Sequence, residues 1–392
     1  MSNGQTFQML AKTFEGLEDI LAEELVTLGA QNVVPHKRAV TFEGDNHVMY
    51  KANYASRLAL RILKPIHSFK ASDEDSLYKG AGEIEWWKIF NIHQTFSIDA
   101  VVNNAPMFRN SMFASLRVKD AIADQFRNKY GERPSVAKDN PDFRISVHIQ
   151  GHDATISMDS TGESLHRRGY RALEHIAPLN EVLAAALVKF SGWDMNSNLV
   201  DPMCGSGTIL IEAGMQMLNI PPGYFRKHYA FQSWKDFDNS LWGDVRESFR
   251  TKSVRPSFKL RGVDIKARSV EQARENIRAA GLQRFITIEQ ADFRDFIPPD
   301  GGGYIITNPP YGERISVEDI EKLYKDFGDK MKKDFAGYTA WVISSGTEAL
   351  KAIELHVSKK HTLFNGALEC KFQKYELYEG TKKTVTKELE AK

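Results

Sequence analysis

The stretch Leu199–Gly214, LVDPMCGSGTILIEAG, decides how the second half of this chain folds. Leu199 and Val200 end a buried strand. Asp201 stands at the strand's carboxyl end, where open α/β sheets present side chains to ligands. Gly205 and Gly207 follow in a tight turn and let backbone amides approach a ligand closely. Thr208 opens the next helix, whose amino end favours an anionic group such as a carboxylate. The turn lacks the Gly-Lys-Ser/Thr ending that brings a lysine to nucleotide phosphates, and it lacks a three-glycine dinucleotide fingerprint. A zwitterionic amino-acid cofactor needs no such lysine. Asp201, Cys204, Gly205, Gly207 and Thr208 are therefore the candidate cofactor contacts of this loop.

Two further acids extend the pattern. Asp264 ends the next strand, in RGVDIK, where a carboxylate accepts hydrogen bonds from ribose hydroxyls. Asp292 follows the strand after that, in ITIEQADF, placed to accept from an adenine amino group. Each alone reads as an ordinary strand-end or capping residue; their repeated placement favours the ligand reading. Asp201 and Asp264 are 63 positions apart, against roughly 20 in a compact dinucleotide unit. The surplus, residues 219–258, is an insertion rich in aromatic and basic residues. It reads equally as a substrate contact or as a lid over the helix layer.

A second motif lies further along, in YIITNPPYGER (Tyr304–Arg314). A strand ends at Asn308-Pro309-Pro310-Tyr311. Two prolines stiffen the backbone and carry no amide donors. The Asn308 side-chain oxygen, shared between the cofactor pocket and this corner, and the Pro309 carbonyl then both present acceptors. An exocyclic amine has a delocalised, weakly nucleophilic lone pair. Two acceptors gripping its hydrogens favour the pyramidal form and aim that lone pair at an electrophilic methyl group, which is positioning plus electrostatics. Tyr311 offers a stacking face worth about 1–3 kcal/mol per base. The base must leave its stack to reach the pocket. Cys204 lies in the cofactor loop, so it reads as a small packing residue and not as the nucleophile that base-carbon methylation needs.

Outward from these motifs, residues 178–378 alternate helix and strand and end in a hairpin over His356–Tyr378, which predicts a mostly parallel sheet with one antiparallel pair. Residues 1–65 read as a small α+β unit: a strand at Phe7–Ala11, a helix carrying Leu17, Leu21 and Leu25, a hairpin around Val33 and Ala39–Phe42, and a helix from Asn46 to Leu63. Residues 66–165 form a second unit, with strands at Thr95–Val102, Phe143–Gln150 and Asp153–Asp159 and an amphipathic helix at Ser111–Tyr130. The linker STGESLHRRGYRALEHIAP follows. Residues 166–380 form the third domain, and 381–392 a polar, frayed tail.

The net charge of +1 advertises no global attraction to nucleic acid, so any such contact rests on local patches. Two cysteines without ligand spacing exclude a disulfide framework. His166, His175, His228 and His361 show no ligand spacing either, and no metal is expected. The amino terminus lacks a signal-peptide core and no stretch approaches a membrane span, so a cytoplasmic location is expected.

Together, DPMCGSGTILIEAG, NPPYGER, LHRRGYR and FNGALECKFQKYEL resemble the THUMP-domain RNA guanine 2-amino methyltransferases, in the single-methyltransferase form of the large-subunit ribosomal RNA branch. The resemblance covers nearly the whole chain. Asn-Pro-Pro-Tyr is shared with DNA adenine enzymes, whereas its combination with LHRRGYR is more specific. The resemblance implies an α/β fold: a Rossmann-like class I methyltransferase domain preceded by a ferredoxin-like unit and a THUMP α+β domain. It implies S-adenosylmethionine as cofactor and RNA as partner, with Asp201, Gly205, Gly207, Asp264 and Asp292 as cofactor contacts. It places His166, Arg167, Arg168 and Arg171 near the active site or RNA, although Arg167-Arg168 alone reads as a solvated charge pair. A second catalytic domain, present in two-methyltransferase fusions of this family, is not expected. The expected reaction is methylation of a guanine 2-amino group in 23S ribosomal RNA. Transfer RNA guanine methylation, adenine 6-amino methylation and a non-catalytic assembly role are the alternatives.

Overall fold

The computed structural model describes residues 5–108, 110–171, 179–249, 256–311 and 317–378. The expected tail at 381–392, His175, and the GER that follows Tyr311 lie outside the described residues. The chain divides into two compact units.

The first unit comprises the amino terminus to Thr13, Glu18–Arg167 and Arg226–Ser248. Its strands are β1 (Phe7–Lys12), β2 (Gln31–His36), β3 (Ala39–Gly44), β4 (Arg61–Lys70), β5 (Phe96–Asn103), β6 (Phe143–Gln150) and β7 (Asp153–Asp159). They form one sheet in the order β2-β3-β1-β4-β7-β6-β5. The small α+β unit and the one after it thus share a sheet, joined through β4. This strand pairs with β1 through Leu63↔Leu10 and with β7 through Leu63↔Asp159 to Lys70↔Asp153. Period-two burial drives the pairing: Met9 and Ala11 of β1 and Val40 and Phe42 of β3 are fully buried.

The helix expected over Asn46–Leu63 is shorter. Asp45 caps its start by accepting from the Val48 amide, and the helix stops at Ala55. The Glu24 carboxylate takes the next amides, those of Arg57 (3.0 Å) and Leu58 (3.3 Å), in place of helical carbonyls. A carboxylate from a distant helix ends this one, a tertiary effect that local periodicity does not carry. The helix Ser111–Tyr130 forms as expected, between Asn110, which accepts from the Phe113 amide, and Gly131 in the left-handed region.

Much of the aromatic insertion packs within the first unit and not over the helix layer of the second. Residues Arg226–Ser248 belong to the first unit, where they complete its core. Phe231 stacks on Tyr50 at 4.4 Å, Trp242 meets Tyr54 edge-on at 5.4 Å, and the Asp238 amide donates to the Tyr50 hydroxyl. Burial of large rings explains the aromatic composition.

The second unit holds β8 (Asn198–Asp201), β9 (Leu260–Asp264), β10 (Ile286–Gln290), β11 (Gly303–Thr307), β12 (Tyr338–Ser344), β13 (Val357–Asn365) and β14 (Leu368–Glu376). Their order is β10-β9-β8-β11-β12-β14-β13. The first five are parallel, and β14 runs antiparallel to both β12 and β13. This is the Rossmann-like arrangement with a terminal antiparallel pair that the sequence predicts. Chain order reverses between β8 and β11, so the ligand crevice falls at their carboxyl ends.

One expected surface residue is internal. Arg168 is 1% exposed and lies beside Glu212, which is 0% exposed. Its Nε and Nη2 reach the two carboxylate oxygens at 3.3 and 3.5 Å, and the Tyr170 hydroxyl donates to Oε1 at 3.2 Å. Arg168 is therefore corrected from an RNA contact to a buried structural cation. Exposing it would strand the Glu212 charge in the interior. Glu212→Ala is expected to cost about 3–5 kcal/mol by leaving the Arg168 guanidinium uncompensated. Denaturant unfolding checks this, and a loss below about 1 kcal/mol would show that the pair carries no weight.

Candidate active site

The crevice at the switch point is built by the carboxyl ends of two adjacent strands. Parallel pairing of β8 with β11 sets Tyr304 opposite Leu199 and Ile305 opposite Val200. Asp201 and Thr307 then end side by side, and the Thr307 hydroxyl donates to Asp201 Oδ1 at 2.7 Å. Asn308 follows directly. A cavity opens here, lined among others by Leu179, Asp201, Cys204, Gly205, Thr208 and Asn308. It holds about 580 Å³ of space free of protein atoms, part of it open to solvent.

The turn after β8 needs glycine at two places, since Gly205 (φ 53°) and Gly207 (φ 78°) are both left-handed. Their amides, expected to face a ligand, serve the loop instead. Gly205 N–H donates to Asp264 Oδ2 at 3.0 Å, and Gly207 N–H to the Cys204 carbonyl at 2.8 Å. The first intrahelical bond of the helix Thr208–Met217 runs from Ile211 to Gly207. The amides of Thr208, Ile209 and Leu210 therefore have no intrahelical acceptor, and they provide the anion-binding end.

Each remaining candidate has a definite place. Thr208 is buried, and its hydroxyl accepts from Arg171 Nη2 at 3.2 Å. Arg171 also pairs with Glu181 and donates to the Leu179 carbonyl, while its Nη1 is buried without a partner. Of the four LHRRGYR candidates, Arg171 is the one placed against the cofactor loop. His166 and Arg167 belong to the first unit; the exposed Arg167 pairs with Glu163. Cys204 is buried, and burial pushes its thiol well above the usual range, which suits packing and not nucleophilic attack. Asp264 and Asp292 do not line the cavity. Asp264 braces the loop through Gly205 and caps its own turn through the Lys266 amide. Asp292 is held by Arg294 at 2.8 Å, and Arg294 also pairs with Asp326.

At the proline corner, Asn308 Oδ1 is buried and has no hydrogen-bond partner. Buried acceptors are rarely left unpaired, which singles this atom out within the corner. Pro309 is buried and Pro310 exposed. The half-buried Tyr311 accepts from Asn365 Nδ2 at 3.0 Å, and Tyr324 reaches the Pro310 carbonyl at 3.4 Å. Ser269 and Gln272, which also line the cavity, and Thr307 and Asn365 are not among the sequence candidates. Thr307 immediately precedes Asn308, and that hydroxyl position is the one local signal available.

Among the described residues, no group of three or more His, Cys, Asp or Glu is arranged to hold a metal ion, and no helix is long and apolar enough to cross a membrane.

Burial raises the Asp201 carboxyl to about 7, with the Thr307 hydroxyl and the Met203 amide working against that rise. The unfolded chain ionises this group near 3.8. The folded state thus binds more protons between those values, and stability falls as pH rises through the window from about 4 to about 7. Asp201→Asn removes the titration. Urea unfolding of wild type and variant between pH 4 and 8 is expected to show a decline in wild type that the variant lacks, whereas parallel curves would contradict the assignment.

Comparison with known proteins matches three segments. Residues 8–63 match the RlmL ferredoxin-like domain, 71–159 the THUMP domain, and 168–374 the RMKL-like methyltransferase domain. The chain is 41% identical to slr0064 of Synechocystis sp., named as an RNA methyltransferase, over 94% of this chain and 96% of that protein. It is 38% identical to the ribosomal RNA large subunit methyltransferase K/L of Syntrophotalea carbinolica, over 93% of this chain but 53% of that longer protein. The crystal structure of SMU.472, described as a methyltransferase complexed with SAH, superposes with a TM-score of 0.85 at 27% identity, over 96% of this chain and all of that one. With three matching domains along its length and a near full-length relative at this identity, the chain belongs to the RMKL-like methyltransferase family, and in it a ferredoxin-like and a THUMP domain precede the methyltransferase domain.

Proposed function

We propose that this protein transfers a methyl group from S-adenosylmethionine to the exocyclic 2-amino group of a guanine in 23S ribosomal RNA. The observation that carries the reading is the buried, unpartnered Asn308 Oδ1 on a cavity shared with the glycine loop. The cofactor supplies an electrophilic methyl group when bound. The chain supplies the rest. Asn308 Oδ1 and the Pro309 carbonyl accept the two amine hydrogens, which localises the nitrogen lone pair and orients it. Tyr311 offers its face to the flipped-out base.

The lining fits this cofactor. A carboxylate suits the first-turn amides from Thr208 onward, with Arg171 Nη1 as a further unpartnered donor. The buried Asp201 answers a cationic amino-acid group. Asp264 spends two acceptor sites on the Gly205 and Lys266 amides, and a carboxylate has about four, so ribose hydroxyls still find acceptors there. Ile265, directly after it, is left 62% exposed and offers an apolar face to a flat base. Asp292 reaches an adenine amino group only if Arg294 shares its oxygens. His166 and Arg167 stay proposed RNA contacts.

The two-acceptor grip suits guanine 2-amino and adenine 6-amino groups alike. Guanine rests on the resemblance in the sequence; ribosomal RNA rests also on the name carried by the Syntrophotalea relative, and RNA in general on the THUMP match. Labelled cofactor offered with purified ribosomal RNA, transfer RNA and DNA tests the substrate. Label in a ribosomal guanine is expected, and label in transfer RNA or in adenine would replace this reading. Asn308→Ala is expected to lower turnover about 100-fold or more, the usual loss for one preorganised group at a reacting centre, with cofactor affinity by calorimetry unchanged. Asp264→Ala is expected to do the reverse, weakening cofactor binding first.

A further inference from the structure

Asn365 is the last residue of β13, at the turn into β14, where it faces Leu368 across the ladder. Gly366 and Ala367 of the turn and Leu368 and Glu369 at the start of β14 are exposed, while Asn365 is half-buried and reaches Tyr311. The hairpin itself rests on the buried Leu363, Cys370 and Phe372, so it does not need this side chain to form. The contact is directional. The amide Nδ2 donates, so the phenol oxygen of Tyr311 accepts. A phenol proton lies in the ring plane on one of two sides. An amide hydrogen occupies one side and drives the proton to the other. On its far side the same loop is held by Tyr324, whose hydroxyl also meets Ser344 at 2.8 Å.

We propose that Asn365 is a positioning residue for methyl transfer: it fixes the ring of Tyr311 and turns the phenol O–H away from the hairpin before the target nucleotide arrives. The inference rests on the reading of Tyr311 as the platform for the base. It makes the hairpin tip, 54 positions downstream, part of the substrate site. Its effect belongs in turnover, since Asn365 is absent from the cofactor cavity lining. Burial pushes the Tyr311 phenol up and the Asn365 donor pulls it back, which provides a readout independent of activity.

The test uses the full chain. Asn365→Ala and the isosteric Asn365→Asp, which cannot donate, are each expected to lower kcat about three- to tenfold, the loss that one hydrogen bond's worth of order produces. The Kd for S-adenosylmethionine should stay at its wild-type value. In a Tyr311→Phe background, which has no phenol oxygen, Asn365→Ala should cost nothing more. An equal loss in that background, or wild-type turnover in Asn365→Asp, overturns the proposal. Separately, NMR of 13Cζ-labelled tyrosine should show the Tyr311 titration midpoint rising in Asn365→Ala; an unmoved midpoint overturns the contact itself. A wild type that methylates no RNA while this resonance still responds overturns the functional reading, and the positioning role with it, but leaves the contact standing.

Discussion

Everything at this site depends on one adjacency: β8 and β11 lie side by side although more than 100 residues separate their ends. The parallel ladder brings Asp201 and Thr307 to the same edge of the sheet, and their hydrogen bond closes it. The glycine turn grows from one strand and the proline corner from the other. Neither turn has to find its partner by loop motion, because the sheet core of Val200, Val263, Ile305 and Val342 fixes both. Positioning to within a fraction of an ångström is the main resource of a reaction without covalent catalysis, and rigid strands supply it better than loops do.

A second constraint secures the cofactor side. Arg168 and Arg171 lie three residues apart and send their guanidinium groups to different carboxylates, Glu212 inside the helix Thr208–Met217 and Glu181 at the start of the helix Glu181–Ser191. Buried pairs of this kind add little net stability over an apolar core, but breaking one is expensive, so they fix which surfaces meet. Here they fasten the RRGYR segment across the helix that begins the cofactor turn. Arg171 then touches Thr208 as a consequence. Within LHRRGYR, Arg168 and Arg171 are the residues that meet this internal geometry. Its most conspicuous charge pair divides, with Arg167 outside on Glu163 and Arg168 inside on Glu212.

The parts legible in the sequence are those that local chemistry dictates. The strands β6 and β7 and the helix Ser111–Tyr130 form where the sequence places them, the helix on its amphipathic spacing. The glycine turn and the proline corner announce themselves through backbone demands that few residue types meet. What stayed hidden is set by partners distant in sequence. Glu24 ends a helix some 30 residues away, Tyr50 and Tyr54 receive the rings of the insertion, and Arg294 engages Asp292. Even the glycines are half legible: their conformation follows from the sequence, but the direction of the Gly205 amide depends on Asp264, which only the sheet brings near.

The two polar groups at the centre of the crevice answer different physical problems. Asn308 carries no titratable proton, so its acceptor is present at any working pH, and its cost is a buried oxygen with no partner in the chain. Asp201 is titratable and fully enclosed, and its ionised form lacks enough partners, so it holds its proton near neutrality. A cation entering beside it would reverse that balance and release the proton. The Asn308 acceptor is therefore independent of pH while the charge on Asp201 depends on it, and the Thr307–Asn308 peptide joins the two residues. Thr307 donates to the acid and Asn308 lines the cavity, so the two groups are held by adjacent residues at one strand end.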